Sequence, residues 1–421
     1  MIRKLSSPGA LDEILQRRAS IAAAGEPARR IADDVRAHGD EAVRRYTRQF
    51  DGVELQDLAV TDEEIAEAIE LIDAETIGHL ETAIDHIKAF HSLQLPPGDL
   101  WLTEMAPGIR LGLKYTPLAR VGAYVPGGTG SYPSSALMLA VPAVVAGVPE
   151  IIACTPPRKD GTVHPLTLTA LSLAGADEIY KIGGVQAIAA MAYGTGTIKK
   201  VQKIIGPGNA YVTAAKLHVR NDCEIDMPAG PSEVVVIADE AADPALIAAD
   251  MIAQREHDAN ARAARLTPSR KLAGAVEAEL ERQVPLAARR QIIEKAGSAL
   301  FVADDLDAAI AACNEIAPEH VEIMVGDPLP ALNGIRNAGT VYVGKYAPVA
   351  AGDYASGANH VLPTGGYAKT FSGMNTLQFL KTTSVQVIDR QGLESIKDTI
   401  IALAKIEGFD AHAASVAKRF K

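Results

Sequence analysis

The sequence predicts an α/β protein built from two parallel-sheet units. Three observations carry that prediction. Beyond residue 109, short apolar strand candidates alternate with helix-length segments. Glycine-rich turns stand at the carboxyl ends of those strands, the side on which open parallel sheets bind ligands. A similar alternation then recurs after residue 230.

The elements follow in order. Residues 10–91 have a helical pattern: Ile65, Ile69 and Ile72, then Ala83, Ile87 and Phe90, recur at three- and four-residue spacing. Asp62, Glu63 and Glu64 behind Thr61 place acids in a first turn, and Pro96-Pro97-Gly98 ends helix formation. His79, His86 and His91 read as surface or packing residues. Strand candidates follow at 111–115 and 120–125, then the turn Pro-Gly-Gly-Thr-Gly-Ser-Tyr-Pro at 126–133 and an apolar helix over 134–146. Strand 150–154, helix 166–174 and strand 178–182 lead to Gly183-Gly184 and a helix from Gln186. Strand 201–205 ends in Gly206-Pro207-Gly208-Asn209, with a helix over 210–219. In the second stretch 234–237, 300–302, 321–325 and 340–343 are strands and 244–256 is a helix. The tail reads as strand 383–388 and helices 393–404 and 411–420, polar enough to need another surface to pack on.

Composition narrows the partners. The chain has 421 residues, more than one ordinary core accommodates, with 48% apolar and 22% charged residues. A net charge of −11, without a long basic run, argues against nucleic acid and anionic membrane. Three cysteines (Cys154, Cys223 and Cys313) stand far apart with no C-x-x-C spacing, which fits a reducing cytoplasm. The N-terminus turns polar too early for a signal peptide, and the apolar run 136–148 contains Pro142 and is too short to span a bilayer.

The stretch Ile316-Ala317-Pro318-Glu319-His320-Val321-Glu322 joins a helix candidate, 306–313, to a strand. Pro318 turns Ala317 away from helix and leaves a carboxylate and an imidazole adjacent at the junction. Two readings stand: a solvated polar turn, or a pair of general bases serving an alcohol and a water. The glycine turns likewise fit either a dinucleotide pyrophosphate or plain tight turns, because Tyr211 replaces the third glycine of a G-x-G-x-x-G. Gln254 and His257 fall at i and i+3 on one predicted helix, able to face one cation. With Asp353, in a small-residue loop, and His412, in the last helix, they make a mixed nitrogen and oxygen set compatible with zinc. Chance assembly of four such residues is the alternative. His164 and His360 read as structural, satisfied by nearby backbone. Ser232 has no partner His and Asp at a recognisable spacing and reads as a hydrogen-bonding residue.

Taken together, these motifs resemble the histidinol dehydrogenase family over nearly the whole chain. The resemblance rests on Val-Gly-Ala-Tyr-Val-Pro-Gly-Gly at 121–128, Gly-Gly-Val-Gln-Ala-Ile-Ala-Ala at 183–190 and Gly-Pro-Gly-Asn-Ala-Tyr-Val at 206–212. It also rests on Asp-Met-Pro-Ala-Gly-Pro-Ser-Glu at 226–233 and on residues 254–257, 317–322 and 352–364. The resemblance implies that Glu319 and His320 are the catalytic pair, and that Gln254, His257, Asp353 and His412 hold one zinc per subunit. It implies NAD contacts at Tyr124, Gln186 and Asn209, and substrate contacts at Ser232, Gln254, His257, His320, Asp353, Glu407 and His412. The implied fold is two incomplete Rossmann-like domains, one inserted in the other, with helical N- and C-terminal extensions. Its boundaries are an N-terminal extension (1–21), a first domain (22–123 and 232–374), an inserted domain (124–231) and a tail (375–421). The implied partner is a second copy of the chain, in a homodimer whose tails complete each other's sites. The implied reaction oxidises L-histidinol through the aldehyde to L-histidine, consuming two NAD and one water. Arg255, Gly196 and the stretch 371–375 depart from the usual pattern, which leaves room for a paralogue acting on another amino alcohol or polyol. A zinc hydrolase driven by Glu319 is a third reading, weakened by the absence of H-E-x-x-H.

Overall fold

The computed structural model describes residues 3–5, 19–127 and 130–420. The expected extension 1–21, the start of the first helical stretch, and Gly128 and Thr129 fall largely or wholly outside these residues. The chain divides into two compact units, Met1–Gln94 with Leu118–Gln378, and Leu95–Pro117 with Phe379–Lys421.

The first unit holds both parallel sheets. One comprises β4 (Val121–Tyr124), β5 (Ile151–Thr155), β6 (Glu178–Lys181), β7 (Lys203–Ile205) and β8 (Glu224–Ile225), in the order β6-β5-β4-β7-β8. The other comprises β1 (Arg3–Leu5), β9 (Glu233–Ala238), β10 (Arg262–Thr267), β11 (Gly297–Val302), β12 (His320–Met324) and β13 (Thr340–Val343). Its order is β1-β11-β10-β9-β12-β13. Numbered within each chain stretch, both sheets run 3-2-1-4-5, the doubly wound order without its sixth strand, and the second adds β1 at its edge. The five-stranded sheet lies in the chain between β1 and β9, as an insertion.

Alternation along β9 explains the two-sided core. Val234, Val236 and Ala238 pack toward Met251 and Val276, while Val235 and Ile237 pack toward Ile310 and Cys313. The helices Ala19–His38 and Asp40–Phe50 bury Ala28, Ala32, Val35 and Val43 in the same core as Ile188, Ala192 and Val219, on the five-stranded sheet. Thr61 and Glu64 form a reciprocal capping box at the start of Asp62–Glu70, as the acidic first turn predicts. The helix Ala74–Ser92 ends at Leu93, ahead of the prolines.

The second unit is an antiparallel ribbon, β2 (Leu100–Ala106), β3 (Ile109–Pro117) and β14 (Leu380–Ile388), in the order β14-β3-β2, followed by helices Arg390–Ile406 and Asp410–Ala417. The strand expected at 111–115 thus belongs to no parallel sheet; every residue of β3 pairs with the tail strand 270 or so positions later. Leu403, Ile406 and Phe409 of this unit are exposed. Among the described residues no helix is long and apolar enough to cross a membrane.

Candidate active site

The helix leading into the acid–base pair runs Leu306–Ile316, a turn longer than its apolar periodicity predicts. It ends on Ala317, in the left-handed region at φ 50, with its N–H bonded to the Cys313 carbonyl at 2.8 Å. Ala317 is the one non-glycine residue with positive φ among those described, a conformation costing roughly 1 kcal/mol for an L-residue. Pro318 follows, and β12 starts at His320.

The backbone of one residue, Glu233, organises the pair. The Glu233 N–H donates to Glu319 Oε2 at 2.8 Å, and the Glu233 carbonyl lies 3.1 Å from His320 Nδ1. A carbonyl only accepts, so Nδ1 carries the proton and Nε2 is left with its lone pair. Nε2 is buried without a hydrogen-bond partner and faces Asp353 Oδ1 at 3.9 Å. Glu319 Oε2 lies 3.6 Å from His320 Nδ1. Burial pushes His320 down to about 3 and lifts Glu319 well above the carboxylate range. At neutral pH His320 is therefore neutral and ready to take a proton. The polar-turn reading fails on burial: Glu319 is 5% and His320 3% exposed.

The other residues that the sequence singled out are placed as follows. The helix Pro244–Arg255 stops before His257, so a shared helical face does not pair Gln254 with His257; Glu256 already caps the helix, and His257 stands in the turn beyond. Gln254 is buried, and both its amide atoms lack partners. Asp353 belongs to the short helix Val349–Tyr354, not to a loop, and is 8% exposed. Its Oδ2 faces His257 Nε2 at 4.0 Å, and burial lifts its carboxyl to about 7. Among the described residues no three His, Cys, Asp or Glu side chains stand together at metal-holding distance. An orphaned buried amide and a facing imidazole–carboxylate pair nevertheless have the chemistry that a zinc ion takes up. Glu407 caps the helix Arg390–Ile406 and His412 lies on Asp410–Ala417; both are exposed in the second unit.

The glycine turns occupy the carboxyl ends of the five-stranded sheet, at its switch point between β4 and β7. Tyr124 ends β4, and its hydroxyl accepts from the Gly184 N–H at 3.0 Å. Gln186 is buried with both amide atoms unpartnered, and Asn209 caps the helix Ala210–Val219 through Tyr211 and Val212. Gly206 sits at φ 120, where a Cβ would meet the Tyr124 carbonyl at 2.2 Å. Asp226 accepts from the Gly206 N–H at 2.7 Å and pairs with Lys216, whose ammonium also donates to the Gly206 carbonyl at 2.8 Å. Removing either partner of so buried a pair typically costs roughly 3–5 kcal/mol, which makes this turn rigid. A cleft of about 1130 Å³ joins this turn to Ser232 and His257, with Pro207, Asn209 and Tyr211 along its wall.

Sequence reasoning missed the position of His360. Its Nδ1 does meet backbone, the Asp353 carbonyl at 2.9 Å, as expected of a structural histidine. Yet its Nε2 reaches Ser135 at 3.3 Å, and burial drives it down to about 4. In the loop 359–364 the Asn359 amide also donates to the Met138 carbonyl at 2.7 Å, and the Thr364 hydroxyl accepts from the Gly230 N–H. Arg255, a departure from the family pattern, is buried and donates to the Ile293 carbonyl at 2.6 Å.

Two doubly wound parallel sheets, one interrupting the other, with a buried acid–base pair at the start of a strand, define an α/β enzyme of two-sheet architecture. A family profile described as histidinol dehydrogenase matches residues 15–420. A histidinol dehydrogenase of Methanosarcina mazei is 52% identical over 424 residues, covering 100% of this chain and 98% of its own. One of Archaeoglobus fulgidus is 48% identical over 413 residues, covering 98% and 100%. The crystal structure of histidinol dehydrogenase from Elizabethkingia anophelis superposes with a TM-score of 0.93 at 35% identity, covering 100% of this chain and 98% of that one. The chain belongs to the histidinol dehydrogenase family, a family of oxidoreductases.

Proposed function

We propose that the protein oxidises L-histidinol to L-histidine in two NAD-dependent steps at the Glu319–His320 site. The observation that carries this reading is the shared anchorage of the pair on the Glu233 backbone, which leaves His320 Nε2 as a buried, unengaged base. In the first oxidation His320 Nε2 takes the alcohol proton as a hydride leaves carbon. In the second, the Glu319 carboxylate takes a proton from water as its oxygen adds to the aldehyde, and the hydrate loses the second hydride. Each oxidation removes two electrons and one further proton, so two NAD and one water balance the sequence. A carboxyl lifted by burial is a strong base once ionised, which suits it to activating water.

NAD bound against Tyr124, Gln186 and Asn209 would accept both hydrides. Zinc held by Gln254, His257 and Asp353, with His412 from a second subunit, would orient the substrate imidazole and amine. Ser232 and Glu407 would hold the substrate's remaining polar groups. The shared site makes a homodimer the working unit. The test is stoichiometry: two NADH per L-histidinol consumed are expected, and turnover of L-histidinol without NADH formation would overturn the proposal.

A further inference from the structure

Behind the candidate site lies a second set of polar groups, each one structural period away from a site residue. Asp250 precedes Gln254 by four on the helix Pro244–Arg255, so the two share a face. Glu322 follows His320 by two on β12, so both leave the same side of the sheet. Val349 opens the helix Val349–Tyr354, one turn before Asp353. Glu322 links these layers. It is 1% exposed, and its Oε1 accepts from the Val349 N–H at 3.0 Å. Pro348, at the N-cap of that helix, offers no side-chain cap, so the strand supplies the acceptor that the helix start lacks.

An apolar side chain is the ordinary occupant of such a position, since strands of parallel sheets are covered on both faces. The carboxyl is costly there. Its Oε2 is buried without a partner, and burial, with the Asp250 charge adding repulsion, lifts it to about 8. A costly polar group beneath a site calls for a role at that site. We propose that Glu322 is a positioning residue for the active site: by accepting from Val349 it fixes the short helix on which Asp353 stands opposite His320 and His257. The inference rests on the reading of Asp353 as a zinc ligand and neighbour of the base. Tyr342, paired with Glu322 across β12 and β13, completes the support: a Cβ on Gly352 would meet its hydroxyl at 2.3 Å, and its ring lies 6.0 Å from that of His320.

The bond can be cut from either side. Glu322→Met removes the acceptor, and Glu322→Gln keeps it without a titratable proton. Val349→Pro removes the donor at a first-turn position where proline is tolerated, and Pro348, at ψ 156, already has the backbone that precedes proline. Val349→Ala loses the same side chain yet keeps the N–H. Zinc content after dialysis against graded chelator, kcat and thermal midpoint are measured for all four. Glu322→Met and Val349→Pro should lose zinc affinity and kcat by about 10–100-fold, the usual effect of losing an outer-shell partner. Glu322→Gln and Val349→Ala should stay within about threefold of the parent on that scale. Parent-like zinc affinity and kcat in Val349→Pro would overturn the inference, and so would losses in Glu322→Gln equal to those in Glu322→Met. If Glu322→Met does not fold, the Val349 pair decides. If the parent itself takes up no zinc, the metal reading fails separately, and kcat alone judges Glu322.

Discussion

Gly339 offers the most direct physical probe of Glu319. Its N–H donates to the Pro318 carbonyl at 3.0 Å, and the next residue, Thr340, donates to the Glu319 carbonyl at 2.9 Å. A Cβ at position 339 would stand 2.5 Å from that Glu319 carbonyl oxygen and 3.1 Å from Leu362 Cβ. Real Cβ contacts stay beyond 3.0 Å, so Gly339→Ala must force the main chains of residue 339 and Glu319 apart by about 0.5 Å. The blocking atom is backbone inside a parallel ladder, so no rotamer change relieves it. A displacement of about 1 Å at a reacting group costs on the order of 100-fold in rate. Gly339→Ala should therefore lower kcat about 10-fold or more, with a stability loss of roughly 1–3 kcal/mol from overpacking. Gly274→Ala, in the helix Arg270–Gln283 with nothing within 4 Å, is the matched control and should leave kcat alone. Initial rates with L-histidinol and urea unfolding of both variants provide the measurement. Parent-like kcat in a folded Gly339→Ala protein would refute the argument that Glu319 is placed through its main chain.

Three further outcomes are expected. Glu319→Gln should impair aldehyde oxidation more than alcohol oxidation, while His320→Asn should slow the alcohol step by about 10²–10⁴; equal damage to both half-reactions in both variants would contradict the division of labour. Asp353→Asn and His412→Asn homodimers should each be nearly inactive, yet activity should return on co-refolding them, up to about one intact site per heterodimer; no recovery in demonstrated heterodimers would place His412 within its own chain's site. Glu322, lifted from 4.5 to about 8, binds its proton more tightly in the folded state. Its stabilising contribution is therefore full below pH 4.5 and lost as pH rises to about 8. Glu322→Gln should gain stability over the parent across that window, by up to roughly 4 kcal/mol at about 1.4 kcal/mol per unit, read from urea midpoints of metal-free protein at pH 5 and 8; a pH-independent difference would refute it.

Local patterns were legible where side chains state their environment. The helix Ala210–Val219 and the strand Thr340–Val343 fall where glycine turns and apolar alternation place them. β10 escaped because its sequence, Arg-Ala-Ala-Arg-Leu-Thr, carries little apolar bulk; Arg265 is buried there against Glu277. β3 was visible as a strand, but its partner lies at the far end of the chain, and periodicity says nothing about partners. The same limit hid which sheet the first helices cover. In the site, motif resemblance named the residues, while burial, the Glu233 anchorage and the left-handed Ala317 needed three-dimensional placement. A pre-proline alanine in that conformation runs against local preference, and only the surrounding packing makes it tenable.

The loop 359–364 ties the two sheets' segments through Ser135, the Met138 carbonyl and the Gly230 N–H. Two of these three anchor points are main-chain atoms, present whatever side chain stands there. For recombination this is permissive. Toward this loop, a five-stranded segment transplanted from a relative would need to present only one hydroxyl and two peptide groups, while toward the N-terminal helices it would have to keep the apolar face of Ile188, Ala192 and Val219 and the Lys181–Glu64 pair. Chimeras crossed just before β4 and just before β9 could therefore exchange glycine turns while the Glu319–His320 pair stays on its own strand.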